Sequence, residues 1–122
     1  EGVVDVPRPT CLVGVGEATV HVTGDGVGGP NQEVAVAAAL ELAGRAGVLV
    51  ASVGTDGIDG VTDAAGGWAD GHSAVRAEAA GIDLAAALDR NDSGGALAVL
   101  GDRIVTGPTG TNVADLYLAL VE

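Results

Sequence analysis

Apolar residues occur along this chain in short runs that predict five β-strands. The runs cover residues 11–15, 18–23, 48–53, 104–105 and 116–121. Val, Ile and Thr favour extended backbone, and the Gly- and Asp-rich segments between the runs favour turns. The run 48–53 is continuously apolar, which is typical of a strand buried on both faces of a sheet.

Helical periodicity is clearest over residues 31–45, where the sequence is rich in Ala, Leu and Val. Pro30 suits the first turn of that helix because its missing N–H is not needed there. Further helices are predicted over 73–80 and 83–88, and a short one after Asn91-Asp92-Ser93, with Ser93 as a cap.

The alternation of strands and helices predicts a single α/β domain over residues 1–122. A central strand buried on both faces implies helices on both sides, hence a three-layer α/β/α sandwich. Because some neighbouring strands are joined by hairpins and others by helices, the sheet is expected to be mixed.

The net charge of the chain restricts the kinds of molecule that it can bind. Seventeen acidic residues are balanced by five Arg and no Lys, which gives a net charge of −12. A surface of this sign repels nucleic-acid phosphates, so nucleic acid is excluded as a partner. Such an acid excess also indicates a halophilic source, since at molar salt a screening length of about 3 Å removes the self-repulsion, and an ordinary acidic domain of a mesophile is the alternative.

Cysteine content and run lengths bear on compartment. A single Cys11 permits no intrachain disulfide and, within an apolar run, is expected to be buried. The apolar runs fall well short of the roughly 20 residues of a membrane span, so a cytoplasmic location without membrane contact is predicted. The chain begins at Glu1 without Met or leader, which favours an excised fragment.

The loop over residues 24–30 is the first candidate site. Gly24, Gly26 and Gly29 formally match the G-x-G-x-x-G pattern of dinucleotide-binding folds, but Asp25 would oppose a pyrophosphate. The following helix N-terminus remains a plausible anion site, and glycines that merely turn the chain are an equal alternative.

Two further loops carry polar chemistry. Residues 54–63 hold three Asp and two Thr, oxygen ligands suited to Mg²⁺ or a nucleotide phosphate, although such residues also cap their own turns. Residues 106–112 hold three Thr and an Asn, able to bind a phosphate or a hydroxy acid or simply to shape a turn. His21 and His72 have no metal-ligand spacing.

Five sequence blocks, in this order, cover nearly the whole chain and resemble the MOFRL domain. They are Gly-Gly-x-Asn-Gln-Glu at 28–33, Gly-Thr-Asp-Gly-Ile-Asp-Gly at 54–60, Thr-Asp-Ala-Ala-Gly at 62–66, Asn-Asp-Ser at 91–93, and Thr-Gly-Pro-Thr-Gly-Thr-Asn-Val at 106–113. Five ordered blocks are far more specific than any one of them.

The resemblance implies the C-terminal domain of a two-domain glycerate 2-kinase, a family also named hydroxypyruvate reductase. Such enzymes use ATP and Mg²⁺ to convert D-glycerate to 2-phosphoglycerate in a cleft shared with a Rossmann-like N-terminal domain that supplies a Lys. Carried over to this chain, the implied catalytic residues are Glu17 and Asp56, and the implied metal ligands Asp56 and Asp59. The implied substrate- and phosphate-binding residues are Gly28, Gly29, Asn31, Thr109, Gly110, Thr111 and Asn112.

Two positions depart from the family pattern. Pro30 stands where the family has an Arg suited to steadying a transferring phosphoryl group, so Arg45, Arg103 or another group substitutes, or activity is reduced. The family's Gly-Gly-Glu block appears as Gly-Val-Gly-Glu at 14–17. No turnover is expected from these 122 residues alone. The alternatives are a reductase binding NAD(P)H at Gly24, Gly26 and Gly29, and a non-catalytic regulatory or interaction module.

Overall fold

A computed structural model describes residues 7–17 and 19–122. Within them, the chain forms five strands and four helices. The strands are β1 Thr10–Gly16, β2 Val48–Gly54, β3 Gly66–Asp70, β4 Arg103–Ile104 and β5 Asp115–Val121. The helices are α1 Pro30–Glu41, α2 Ser73–Ala79, α3 Leu84–Asp89 and α4 Ser93–Leu100.

The strands form one sheet in the order β1-β5-β2-β3-β4. Every pair is antiparallel, so the α/β class is confirmed but the mixed sheet is not. The mixed prediction assumed parallel neighbours joined by crossovers. Instead β5, at the end of the chain, inserts between β1 and β2, a pairing that local sequence cannot reveal.

The four helices pack together on one face of the sheet. α1 contacts β2 and β3, and the other three helices contact α1. A single buried core joins Val36 and Ala39 of α1, Leu97 of α4 and Ala69 of β3. The described residues therefore form two layers, and the third layer of the predicted sandwich is missing among them.

Strand β3 is an element that the sequence reasoning missed. Its sequence Gly-Gly-Trp-Ala-Asp has low strand propensity. A Cβ on Gly67 would lie 2.5 Å from Cδ1 of Leu97 and 3.1 Å from Cβ of Ala35. Gly67 thus lets α1 and α4 approach the sheet. The same glycine makes the segment difficult to recognise as a strand from sequence.

Other expectations need smaller corrections. The strand predicted over 18–23 is irregular over 19–23, and Ala18 lies outside the described residues. Helix α1 ends at Glu41 rather than at Arg45, because Leu42 caps it and Gly44 adopts a left-handed φ of 79°. Cys11 is exposed rather than buried, because β1 is an edge strand.

None of the described helices is long and apolar enough to cross a membrane. The longest, α1, has 12 residues.

Candidate functional site

The candidate loops converge at one end of the sheet. β2 ends at Gly54 and β1 ends at Gly16, and both residues pair with Asp115, where β5 begins. Helix α1 also starts at this end: the backbone N–H of its residue Asn31 donates to Asp59, which lies in the loop that follows β2. We call this region the loop end of the sheet.

Asp59 is the anchor of the loop end. Its side chain is fully buried, and its Oδ1 accepts hydrogen bonds from the backbone N–H and Nδ2 of Asn31, at 2.8 and 3.0 Å. Its Oδ2 accepts from the backbone N–H and Nε2 of Gln32 at the same two distances. A loop carboxylate therefore caps α1 from outside the helix, where the residue at the cap position, Gly29, has no side chain to do so.

This cap changes the interpretation of two predicted roles. The backbone N–H groups of Asn31 and Gln32 are the ones that would bind an anion at the helix N-terminus. They already donate to the Asp59 carboxylate. Asp59 has both oxygens occupied, and the described residues hold no group of three or more His, Cys, Asp or Glu that could bind a metal ion. The side chains here do not by themselves fit Mg²⁺, and Asp59 is better described as a positioning residue.

Asn31 ties three elements together. Ser52 Oγ of β2 donates to its Oδ1 at 2.6 Å, and its Nδ2 also donates to Asp115 Oδ1 of β5 at 3.1 Å. Ser52 and Asn31 are buried. A buried network that is satisfied in this way fixes the start of α1 relative to the sheet.

Asp56 and the threonine-rich loop form the outer part of the loop end. The N–H of Thr109 donates to the backbone carbonyl of Asp56 at 3.3 Å, and Thr109 Oγ1 donates to the carbonyl of Thr55. Asp56 Oδ1 accepts from the N–H of Ile58 at 3.0 Å. Residues 109–112 are exposed, so the hydroxyl of Thr111 and the amide of Asn112 can reach a small ligand.

The glycine-rich loop is packed against the body of the domain. A Cβ on Gly29 would lie 2.5 Å from the backbone carbon of Asp59, and one on Gly26 would lie 2.3 Å from Cβ of Asp92. These glycines are required by close approach to protein atoms, which accounts for them without a bound pyrophosphate. The packing therefore counts against the dinucleotide interpretation of Gly24, Gly26 and Gly29.

Asn91 and Asp92 hold that loop, a role that the sequence reasoning missed by assigning this segment to a helix cap. Asn91 Oδ1 accepts from the N–H of Gly24 at 2.8 Å, its Nδ2 donates to Glu33 Oε2 at 2.8 Å, and Asp92 Oδ1 accepts from the N–H of Val27 at 3.0 Å. The left-handed φ of 56° at Asn91 is the local signal, because Asn tolerates this conformation. Ser93 makes no side-chain cap and lies buried in the first turn of α4.

The arginines do not supply an unpaired cation to the loop end. Arg45 follows the C-terminal end of α1, at the opposite end from Asn31, so it cannot replace the charge missing at Pro30. Arg103 contacts Asp63 at 2.9 Å, and Arg90 contacts Asp92 at 3.5 Å. The exposed carboxylate of Glu17 follows β1 at the same end.

Pro30 and Glu33 line a small cavity of about 190 Å³ beside the glycine-rich loop. Its other lining residues are largely apolar, including Val20, Val22 and Val61.

Comparison with known proteins fits this geometry. The family model described as "MOFRL family" matches residues 10–115. The chain belongs to the MOFRL family. This MOFRL chain is 51% identical over 114 residues to "D-glycerate 2-kinase" of Thermotoga maritima and 44% identical over 114 residues to "Glycerate 2-kinase" of Pyrococcus horikoshii. The matches cover 93% of this chain in both cases, but only 27% and 26% of those relatives.

A solved structure gives the same picture. The crystal structure of glycerate kinase from Thermotoga maritima superposes with a TM-score of 0.92 at 50% identity, covering 94% of this chain and 28% of that one. The MOFRL chain thus spans about a quarter of the length of the relatives it matches. The family fold is therefore shared over nearly all of its residues.

Proposed function

We propose that this MOFRL chain is the C-terminal domain of a two-domain D-glycerate 2-kinase and forms one wall of its active site. The observation that carries the proposal is the convergence of the three predicted loops at one end of the sheet, around Asp59 and Asn31. The similarity to D-glycerate 2-kinase supports the same activity.

The reaction joins the C2 hydroxyl oxygen of D-glycerate to the γ-phosphorus of ATP while the bond from that phosphorus to the ADP oxygen breaks. The hydroxyl proton passes to a base, for which Asp56 and Glu17 are the candidates. Positioning and electrostatics supply most of the rate acceleration in phosphoryl transfer. Thr109, Thr111 and Asn112, with the N–H groups around Gly110, would orient the glycerate carboxylate or a phosphate.

A second domain is part of the proposal. The described arginines near the loop end are paired with carboxylates, so the positive charge that a phosphoryl group requires must come from outside this chain. A Rossmann-like N-terminal domain contributing a Lys would supply it, and the 122-residue chain alone would be inactive. The acid excess further favours action in the cytoplasm of a halophile.

The test uses a chimera in which this chain replaces the matching segment of the Thermotoga maritima D-glycerate 2-kinase. Asp56→Ala should lower glycerate-dependent ADP release by about 100-fold, as expected for a general base, and Thr111→Ala by about tenfold. Asp89→Ala, which removes an exposed carboxylate at the end of α3, is the control. Unchanged rates in both loop variants would refute the assignment of this wall.

A further inference from the structure

Over β1, β5 and β2 the sheet has one face that no described helix covers. Side chains alternate between the two faces of a strand, and Gly67 and Ala69 point to the helices. On β1, β2 and β5 the register then assigns the opposite orientation to nine residues, which we call the open face. They are Cys11, Val13, Val15, Leu49, Ala51, Val53, Leu116, Leu118 and Leu120.

The open face is apolar and partly exposed. Val13 is 62% exposed, Val15 67% and Leu120 46%. These nine residues include no charged residue, and Asp70 of β3 lies at their border as the partner of Leu49, in a chain with a net charge of −12. A contiguous apolar patch on an otherwise acidic surface marks a contact with another protein surface.

Strand β1 strengthens this conclusion because it is also an edge of the sheet. Exposed edge strands are usually protected by Lys, Pro or a bulge, since their free N–H and C=O groups invite pairing with other strands. Residues 10–16 contain neither Lys nor Pro, and they pair with β5 without a bulge. An edge of this kind needs a partner.

We infer that the open face is where the larger domain of the proposed two-domain kinase docks, so the identity of this occupant rests on the proposed function. The relatives devote roughly three quarters of their length to residues beyond the segment matched by this chain. The open face also runs to Val15 and Leu116, next to the loop end. A domain seated on it is therefore brought up to the candidate site.

A second copy of this chain is the competing occupant. Two copies would bring together two chains of net charge −12, which opposes their association except at high salt. The larger domain requires no such pairing of like charges from identical chains. At molar salt this repulsion is screened, so the choice of the larger domain rests on the length that the relatives carry beyond the matched segment.

The exposed thiol of Cys11 reports directly on the open face. Maleimide labelling of Cys11, followed at the level of its peptide by mass spectrometry, is compared between the 122-residue chain alone and the Thermotoga chimera described above. Docking predicts labelling at least tenfold slower in the chimera. Equal rates would overturn the inference.

Two valine variants provide the matched test. Val13→Lys, on the open face, should restore fast labelling of Cys11 in the chimera, whereas Val99→Lys, on α4 and similarly exposed at 66%, should leave it slow. Neither should alter the thermal midpoint of the chain alone. Equal effects of the two variants, or a dimer of the chain alone with a protected Cys11, would refute the inference.

Labelling requires neither ATP nor glycerate, so the docking inference can be contradicted independently of the proposed kinase activity. A chimera with protected Cys11 but no turnover contradicts the kinase assignment while supporting the docking face. An active chimera with freely reactive Cys11 contradicts the docking face alone.

Discussion

At the scale of single residues, Asp59 shows how a buried carboxylate organises the residues around it. Its two oxygens receive four N–H groups from Asn31 and Gln32, so it holds the first turn of α1 against the loop after β2. Hydrogen bonds to a charged group are each worth more than neutral ones. The start of α1 therefore depends on a residue that lies 28 positions later in the chain.

Asp59→Asn should lower the free energy of unfolding by about 3 kcal/mol, because an amide nitrogen would then face N–H donors and leave them unsatisfied. Urea unfolding measures the effect. Asp63→Asn is the matched control, since that side chain is 79% exposed and its ion pair with Arg103 contributes at most about 1 kcal/mol. A loss of equal size in both variants would mean that Asp59 is not the anchor.

At the scale of elements, glycine decides how closely helices and strands approach. The small core contains Ala, Val and Leu, with Leu97 as its largest fully buried side chain. Because few large side chains are available to fill gaps, the core is filled by bringing the backbones of α1 and α4 close to β3. Gly67 is the position where that contact leaves no space.

Gly67→Ala should destabilise the domain by about 2 kcal/mol, because the added methyl group would overlap Leu97 and press on Ala35. Gly14→Ala in β1 is the control, since its Cβ would lie 3.8 Å from the Tyr117 side chain, an ordinary contact. Thermal unfolding distinguishes the two. A Gly67→Ala midpoint equal to that of Gly14→Ala would show that the core relaxes around the methyl group.

At the scale of the whole molecule, charge and apolar surface are segregated. Strands β1 and β2 contain no charged residue, while the acidic excess lies on helices and loops. Self-repulsion among these acids opposes folding at low salt and is screened at high salt.

The ion pair of Arg76 with buried Asp102, at 2.6 Å, differs from these surface charges because one partner is buried. The hydrogen bond to Asp102 raises the pKa of Arg76 above its usual value, so this contact persists until strongly alkaline pH.

Raising KCl from about 0.1 M to about 2 M should stabilise the chain by roughly 2 kcal/mol, a shift of about 8 °C in the unfolding midpoint. Replacing the exposed acids Glu41, Glu78 and Asp89 by Gln, Gln and Asn takes the net charge from −12 to −9. The salt response of that variant should be smaller. An identical response would attribute the effect to general salting-out rather than to screening.

The sequence by itself determined the α/β class, the strands β1, β2 and β5, most of α1, and the three loops that meet at the loop end. These features depend on local periodicity, turn residues and charge, which neighbours along the chain specify. The block pattern also identified the family, because five motifs in order are specific without any coordinates.

The tertiary structure alone decided the rest. The antiparallel order, with β5 between β1 and β2, depends on hydrogen bonds between residues that are distant in sequence. The edge position of β1 exposes Cys11, and the placement of the described helices on one side of the sheet creates the open face. The contacts of Asp59 are also tertiary, because the donors that surround its carboxylate come from Asn31 and Gln32 of a different element. Burial and pairing are set by three-dimensional proximity, and local sequence carries no record of it.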